Sequence, residues 1–237
     1  MTTYLITGAS SGMGEQMSRL AVARGDKVFG VARRRELLQA IAGELGDNFA
    51  PFVCDVTDKT AVKQVCERLP ALPDIAILNA GAGDLDSRRE FNLGLHEWTF
   101  AVNYFGALYW IGELFPHFVE RGRGVFVGIA SMAAYRGLPE AAAYCASKAA
   151  LSIALEAMAV TYKQTGLRFV TVHPGFVDTP MAKGANRPLQ WSPPKAAAYI
   201  MRGIDRGSAN IEFPWPMRLL TGFARLLPAG LYRRIVN

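Results

Sequence analysis

"YLITGASSGMGEQMSRLAVARG", residues 4–25, places Gly8, Gly12 and Gly14 between a short apolar run and an amphipathic stretch. Glycines at a strand-to-helix junction let the chain turn tightly and approach a diphosphate, and the free amides of the helix start supply positive potential to hold it. The spacing is G-x-x-x-G-x-G, not the general G-x-G-x-x-G fingerprint. Gly8, Ser10, Ser11, Gly12, Met13 and Gly14 therefore read either as a phosphate cradle or as an ordinary turn. Their place at the first such junction of the chain favours the cradle.

Beyond this stretch, apolar runs of strand length alternate with longer amphipathic segments. The strand candidates are "YLIT", "KVFGVA", "APFVC", "IAILN", "GVFVGIA" and "FVTVHP", with "NIEF" weaker. Helices are predicted near residues 13–24, 35–45, 58–69, 95–120, 144–165 and 193–206. This alternation predicts an α/β fold: one doubly wound parallel sheet of about seven strands, flanked by helices on both faces. No repeat, linker or composition shift marks a boundary. Residues 1–237 thus read as a single domain, with a cofactor-binding and catalytic core over 1–180 and a substrate lid and C-terminal region over 181–237.

With 237 residues, 51% of them hydrophobic and 19% charged, the chain can bury a sizeable core. No cationic leader precedes Tyr4, and no uninterrupted apolar run approaches the roughly 20 residues that cross a bilayer, so a cytoplasmic location is expected. Cys54, Cys66 and Cys145 are odd in number and show no zinc-like spacing, and His96, His117 and His173 are scattered, so no metal site is expected. The formal charge of +6 would suit nucleic acid, a membrane surface or an anionic small molecule, but no nucleic-acid motif accompanies it.

In dinucleotide-binding folds the residue about 20 positions past the glycines meets the adenine ribose, where an acid suits a free 2′-hydroxyl and an arginine a 2′-phosphate. Here that position is Arg33, in "GVARRREL". Arg33, Arg34 and Arg35 read as a solvated helix start or as an anion site. A cationic cluster is unfavourable at a helix N-terminus unless an anion neutralises it, which tilts the reading to a phosphate and to NADP(H) over NAD(H).

"AAYCASKAAL", residues 142–151, carries Tyr144 and Lys148 four positions apart on one helical face. An ammonium beside a phenol lowers its pKa from about 10, which equips it to give or take a proton near neutrality. With eight tyrosines in the chain such a pair can arise by chance. It gains weight from "GVFVGIAS", whose last residue, Ser131, falls at the C-terminal end of a predicted strand, where open α/β sheets place ligands. From there a hydroxyl can donate a hydrogen bond to a carbonyl oxygen and stabilise a developing alkoxide.

"TGASSGMG", "CDVTD", "NAG", Asn103 in "FAVNYFGA", Ser131, "YCASK" and "PGFVDT" occur in this order over residues 2–180. Together they resemble the short-chain dehydrogenase/reductase (SDR) family, with its Rossmann-like sheet. The resemblance implies a catalytic tetrad of Asn103, Ser131, Tyr144 and Lys148. Tyr144 would be the general acid in reduction and the base in oxidation. Lys148 would tune it and bind the nicotinamide ribose, Ser131 would orient the substrate oxygen, and Asn103 would hold a water for proton relay. It further implies adenine contacts at Asp55 and Val56, a segment under the cofactor at Asn79, Ala80 and Gly81, and a nicotinamide-fixing segment from Pro174 through Gly175 and Val177 to Thr179. Ser10 with Arg33 resembles the 2′-phosphate site of NADP-preferring members. Asp55 also reads as a helix cap before "VTDKTAV".

Specificity is expected from loops 82–93, 132–140 and 176–192, which offer Leu138, Phe176, Met181 and Trp191 to an apolar pocket; each also reads as lid packing. The tail "PWPMRLLTGFARLLPAGLYRR" interleaves leucines and aromatics with arginines. It reads as a helix packed on the cleft or on a partner subunit, or as a membrane-contacting helix. The resemblance implies a homodimer or homotetramer paired through helices 95–120 and 144–165. The resulting expectation is an NADP(H)-dependent oxidoreductase acting on a small-molecule carbonyl or secondary alcohol. The alternatives are a 3-oxoacyl thioester reductase with an acyl-carrier partner, and a non-catalytic NADP(H)-binding sensor or scaffold.

Overall fold

The computed structural model describes residues 1–86, 90–182 and 187–236. Its seven strands are β1 (Thr3–Thr7), β2 (Lys27–Ala32), β3 (Phe49–Val53), β4 (Ile75–Leu78), β5 (Gly124–Ile129), β6 (Leu167–Pro174) and β7 (Asn210–Phe213). All pair in parallel, in the order β3-β2-β1-β4-β5-β6-β7. The strand order reverses between β1 and β4, and their C-terminal ends open a crevice at that switch point, where such sheets hold ligands.

The continuous apolar runs follow from burial on both faces. On one side Tyr4, Ile6, Val28, Ile77, Val127 and Val172 pack beneath α1 (Gly12–Ala23), α2 (Arg35–Leu45) and α7 (Pro193–Asp205). On the other, Leu5, Phe29, Val31, Leu78, Phe126 and Phe169 meet α3 (Lys59–Glu67), α5 (Gly106–Arg121) and α6 (Ala142–Thr161), with Trp110 and Phe118 fully covered. Alternate residues of one strand thus serve two cores, as the period of two requires.

The helix predicted over 95–120 is present as one helical run with a π-helical irregularity inside it. It comprises α4 (Leu93–Phe100), a π-helical turn at Ala101–Phe105, and α5. The widened turn re-aims side chains, and Asn103, in that turn, is buried. Asp55 is not the cap of α3: Asp58 accepts from the amides of Thr60 and Ala61, while Asp55 closes a turn onto Thr57. The expectation that no segment is long and apolar enough to cross a membrane meets one exception, the 20-residue α6. Its alanine-rich sequence reflects close packing against β6 and α4, and it carries the buried Lys148. The tail forms α8 (Trp215–Leu226) and α9 (Ala229–Val236).

Candidate active site

At the crevice, Gly8 has φ +69°, and a Cβ on Gly14 would lie 2.4 Å from the Gly8 carbonyl oxygen. Only glycine fits either position, so the loop presents bare backbone at the start of α1. Asn79 buttresses it: its Nδ2 donates to the Thr7 carbonyl at 2.9 Å, and the Thr7 hydroxyl accepts from the amides of Asn79 and Ala80. Beside the loop, Arg34 Nη2 reaches Ser10 Oγ at 2.9 Å and Ser11 Oγ at 2.6 Å. Arg34 thus lies beside Ser10 and Ser11, while the Arg33 guanidinium faces Asp55 at 3.7 Å. Burial pushes the Asp55 carboxyl up, but hydrogen bonds from the Thr57 amide and hydroxyl, with Arg33, hold it below the usual carboxylate range. The backbone cradle and its adjacent guanidinium are what a dinucleotide phosphate requires, so these residues fit such a cofactor.

Ser131 lies two residues past the end of β5 and caps a short 3₁₀ turn, its Oγ accepting from the Ala133 amide at 3.1 Å. Its side chain also acts on the Tyr144 phenol, opposing the rise that burial causes there. Lys148 is buried and donates to the Ile129 carbonyl at 2.8 Å, with Nζ 5.8 Å from the centroid of the Tyr144 ring. A Cβ on Gly81 would meet Lys148 Nζ at 3.3 Å and Asn103 Oδ1 at 3.4 Å, so the segment after β4 passes directly over both. Asn103 accepts from the Ala82 amide at 2.7 Å and donates to the Ala82 carbonyl at 2.8 Å, clamping that segment.

Burial disfavours charge on both reactive groups. It lowers the Lys148 ammonium to about 8. It raises the Tyr144 phenol, which the Ser131 side chain only partly offsets. Burial is thus the largest influence on the phenol, ahead of the opposing interaction with Ser131.

Three contributors escaped the sequence reading. Ser147 accepts from Asn103 Nδ2 and donates to the Tyr144 carbonyl, both at 2.9 Å, tying two expected tetrad members together; its place three residues after Tyr144 was the available signal. A Cβ on Gly83 would lie 2.7 Å from Tyr144 Cδ2, so backbone forms one wall of the ring's site. Asp86 accepts from the Ala142 amide at 2.5 Å, placing a carboxylate at the N-terminus of the helix that carries Tyr144.

Of the residues expected to line the substrate pocket, Trp191 stacks on Phe213 at 4.8 Å and forms a β-bridge with Val177, so it packs the base of the lid. Phe176 lies under the Arg187 guanidinium, while Leu138 and Met181 are exposed. Thr179 sits against Gly12, closing the segment from Pro174 onto the glycine loop, and Val56 packs on Gly106 at the start of α5. The parts of those loops at 87–89 and 183–186 lie outside the described residues.

A glycine loop at the switch point, with a phenol, an ammonium and a hydroxyl at the same sheet edge, defines a nicotinamide-dependent oxidoreductase. The short chain dehydrogenase family profile matches residues 2–190, and the chain belongs to that family. It is 35% identical over 241 residues to an uncharacterised oxidoreductase of Myxococcus xanthus (strain DK1622), covering 97% of this chain and 94% of that one. It is 31% identical over 233 residues to a fatty acyl-CoA reductase of Acinetobacter baylyi (strain ATCC 33305 / BD413 / ADP1), covering 94% and 76%. Among solved structures, the closed form of a serine dehydrogenase complexed with NADP+ superposes with a TM-score of 0.83 at 25% identity, over 89% of this chain and 94% of that one.

Proposed function

We propose that the protein is an NADP(H)-dependent oxidoreductase moving a hydride between nicotinamide and an apolar carbonyl or secondary alcohol, working in the cytoplasm mainly as a reductase. The observation that carries this reading is the convergence of Ser131, Tyr144 and Lys148 beside the glycine loop. Bound NADPH would supply the hydride to the carbonyl carbon. Tyr144 gives its phenolic proton to the carbonyl oxygen, and Ser131 hydrogen-bonds that oxygen as charge develops on it. Lys148, fixed by Ile129, would hold the ribose hydroxyls, and Asn103, by clamping Ala82, would keep the segment over Lys148 in place.

Arg34 with Ser10 and Ser11 supports the preference for a 2′-phosphate, with Arg33 and Asp55 toward the adenine side. The likeness to an NADP+-bound serine dehydrogenase supports the same choice. The exposed apolar residues Trp98 on α4 and Phe105 in the π-helical turn, and Ile153 and Val160 on α6, support pairing of two copies through these helices.

A second reading, reduction of an acyl thioester, is favoured by the likeness to a fatty acyl-CoA reductase. Fluorescence titration with NADPH and NADH, followed by turnover on aldehydes, ketones and acyl thioesters, separates the two. NADPH is expected to bind more tightly, with turnover on a plain ketone or aldehyde; thioester turnover alone would install the second reading. Tyr144→Phe is expected to keep NADPH affinity and lose at least about a thousandfold in kcat, in the range of general acid catalysis. A fully active variant would remove Tyr144 from its role.

A further inference from the structure

The two C-terminal helices carry a face that the proposed chemistry leaves idle. Trp215, Leu219, Phe223 and Leu226 recur at helical spacing along α8, 63–83% exposed. They edge a shallow apolar groove of about 720 Å³. α9 adds exposed Leu231 and Ile235 beside exposed Arg233 and Arg234.

The outward direction of this stripe is fixed by contacts along the rest of the helix pair. Arg218 Nε pairs with Glu212 at 2.6 Å, the Arg225 guanidinium lies 4.9 Å from the Tyr135 ring centroid, and Met217 packs on Gly175 so closely that a Cβ there would meet its sulfur at 2.5 Å. Arg136 donates to the Leu227 carbonyl at 3.1 Å and covers the Tyr232 ring at 4.5 Å, and the Tyr232 hydroxyl donates to the Gly137 carbonyl at 2.6 Å.

We infer that α8 and α9 dock the protein onto the surface of an anionic phospholipid bilayer. From Trp215 onward the chain has four arginines and no acidic residue; Arg218 is paired with Glu212 and Arg225 lies over Tyr135, which leaves the exposed Arg233 and Arg234 of α9 as the charges for headgroups. An apolar stripe edged by arginine, with a tryptophan at one end, matches the division of a bilayer interface between acyl chains and anionic headgroups. A second copy of the chain fits this face less well, because it would bring the exposed Arg233 and Arg234 of both copies into one contact with no carboxylate from the segment to meet them. The ties to Arg136, Gly137 and Gly175 mean that docking also holds the loop after Ser131 and the segment after β6 close to the bilayer.

The test is flotation of the full chain with phosphatidylcholine vesicles that do or do not contain about 30% phosphatidylglycerol, at low salt and at about 0.5 M NaCl, where surface charge is screened. The expected result is at least tenfold more bound protein with the anionic vesicles at low salt than in either other condition, and at least a tenfold loss for the double variant L219E/F223E. That variant should keep its melting temperature and its turnover of a water-soluble carbonyl. NADPH binding can be measured separately, so failure to float and failure of the proposed chemistry are distinguishable. A wild type that stays at the bottom overturns the proposal, as does flotation indifferent to L219E/F223E. Sedimentation showing that L219E/F223E only splits an oligomer, with vesicle binding absent, would assign the face to a second copy and overturn it too.

Discussion

At Lys148 the cost of function is readable in one side chain. Burial takes the ammonium from 10.5 to about 8, a difference worth about 3 kcal/mol. The folded-state pKa is depressed, so this group's contribution to stability is complete above 10.5 and is lost as pH falls through about 8. Lys148→Met should therefore be more stable than wild type at pH 7, by up to about 3 kcal/mol less the hydrogen bond to Ile129, and should lose the wild type's rise in stability between pH 8 and 10.5. Urea unfolding across that range checks both, and turnover should be abolished. Gly83 makes a second residue-scale case: the Cβ of Gly83→Ala would press on the Tyr144 ring from 2.7 Å, a rigid neighbour that can yield only by moving the phenol. At least about a tenfold fall in kcat is expected, because misplacement of a reacting group by an ångström is costly, with NADPH affinity within about twofold of wild type. The Tyr144–Lys148 pair was legible from its spacing. The extent of their burial was not, because burial is a property of the packed site.

Among elements, the strands were the most legible: "KVFGVA" coincides with β2 because a strand buried on both faces reads as an apolar run, and the weaker "NIEF" coincides with β7, an edge strand that buries only Ile211 and Phe213. The π-helical turn between α4 and α5 was not legible, since it adds a residue to one turn without changing composition. The cap of α3 was ambiguous in "DVTD" for a related reason, as either aspartate suits an N-cap chemically and only the path of the backbone selects Asp58. Asp58→Ala should lower unfolding free energy by about 1 kcal/mol, read by urea denaturation, and leave kcat unchanged.

For the whole molecule, pH stability should carry the mark of His173, enclosed between sheet and tail. It stacks on Tyr135 at 4.7 Å and meets Ser152 Oγ through Nε2 at 2.9 Å, with Glu212 and Arg225 nearby. Burial lowers its pKa from 6.5 to about 4, so the folded state holds it neutral while the unfolded chain takes up a proton. Stability should be complete above pH 6.5 and decline as pH falls toward 4, by about 3 kcal/mol for this group. His173→Asn should flatten that decline in thermal melts run between pH 4 and 7. The sequence by itself determined the parallel sheet, the glycine loop and the tetrad candidates, because these rest on local periodicity and on motifs whose spacing is set within a few residues. Only the tertiary structure decided that Arg34 meets Ser10 and Ser11, that Ser147 and Gly83 brace the reactive tyrosine, and that the tail's apolar stripe faces outward. Each of those outcomes depends on segments distant in sequence meeting in space, and burial and contact across such distances leave no periodic trace along the chain.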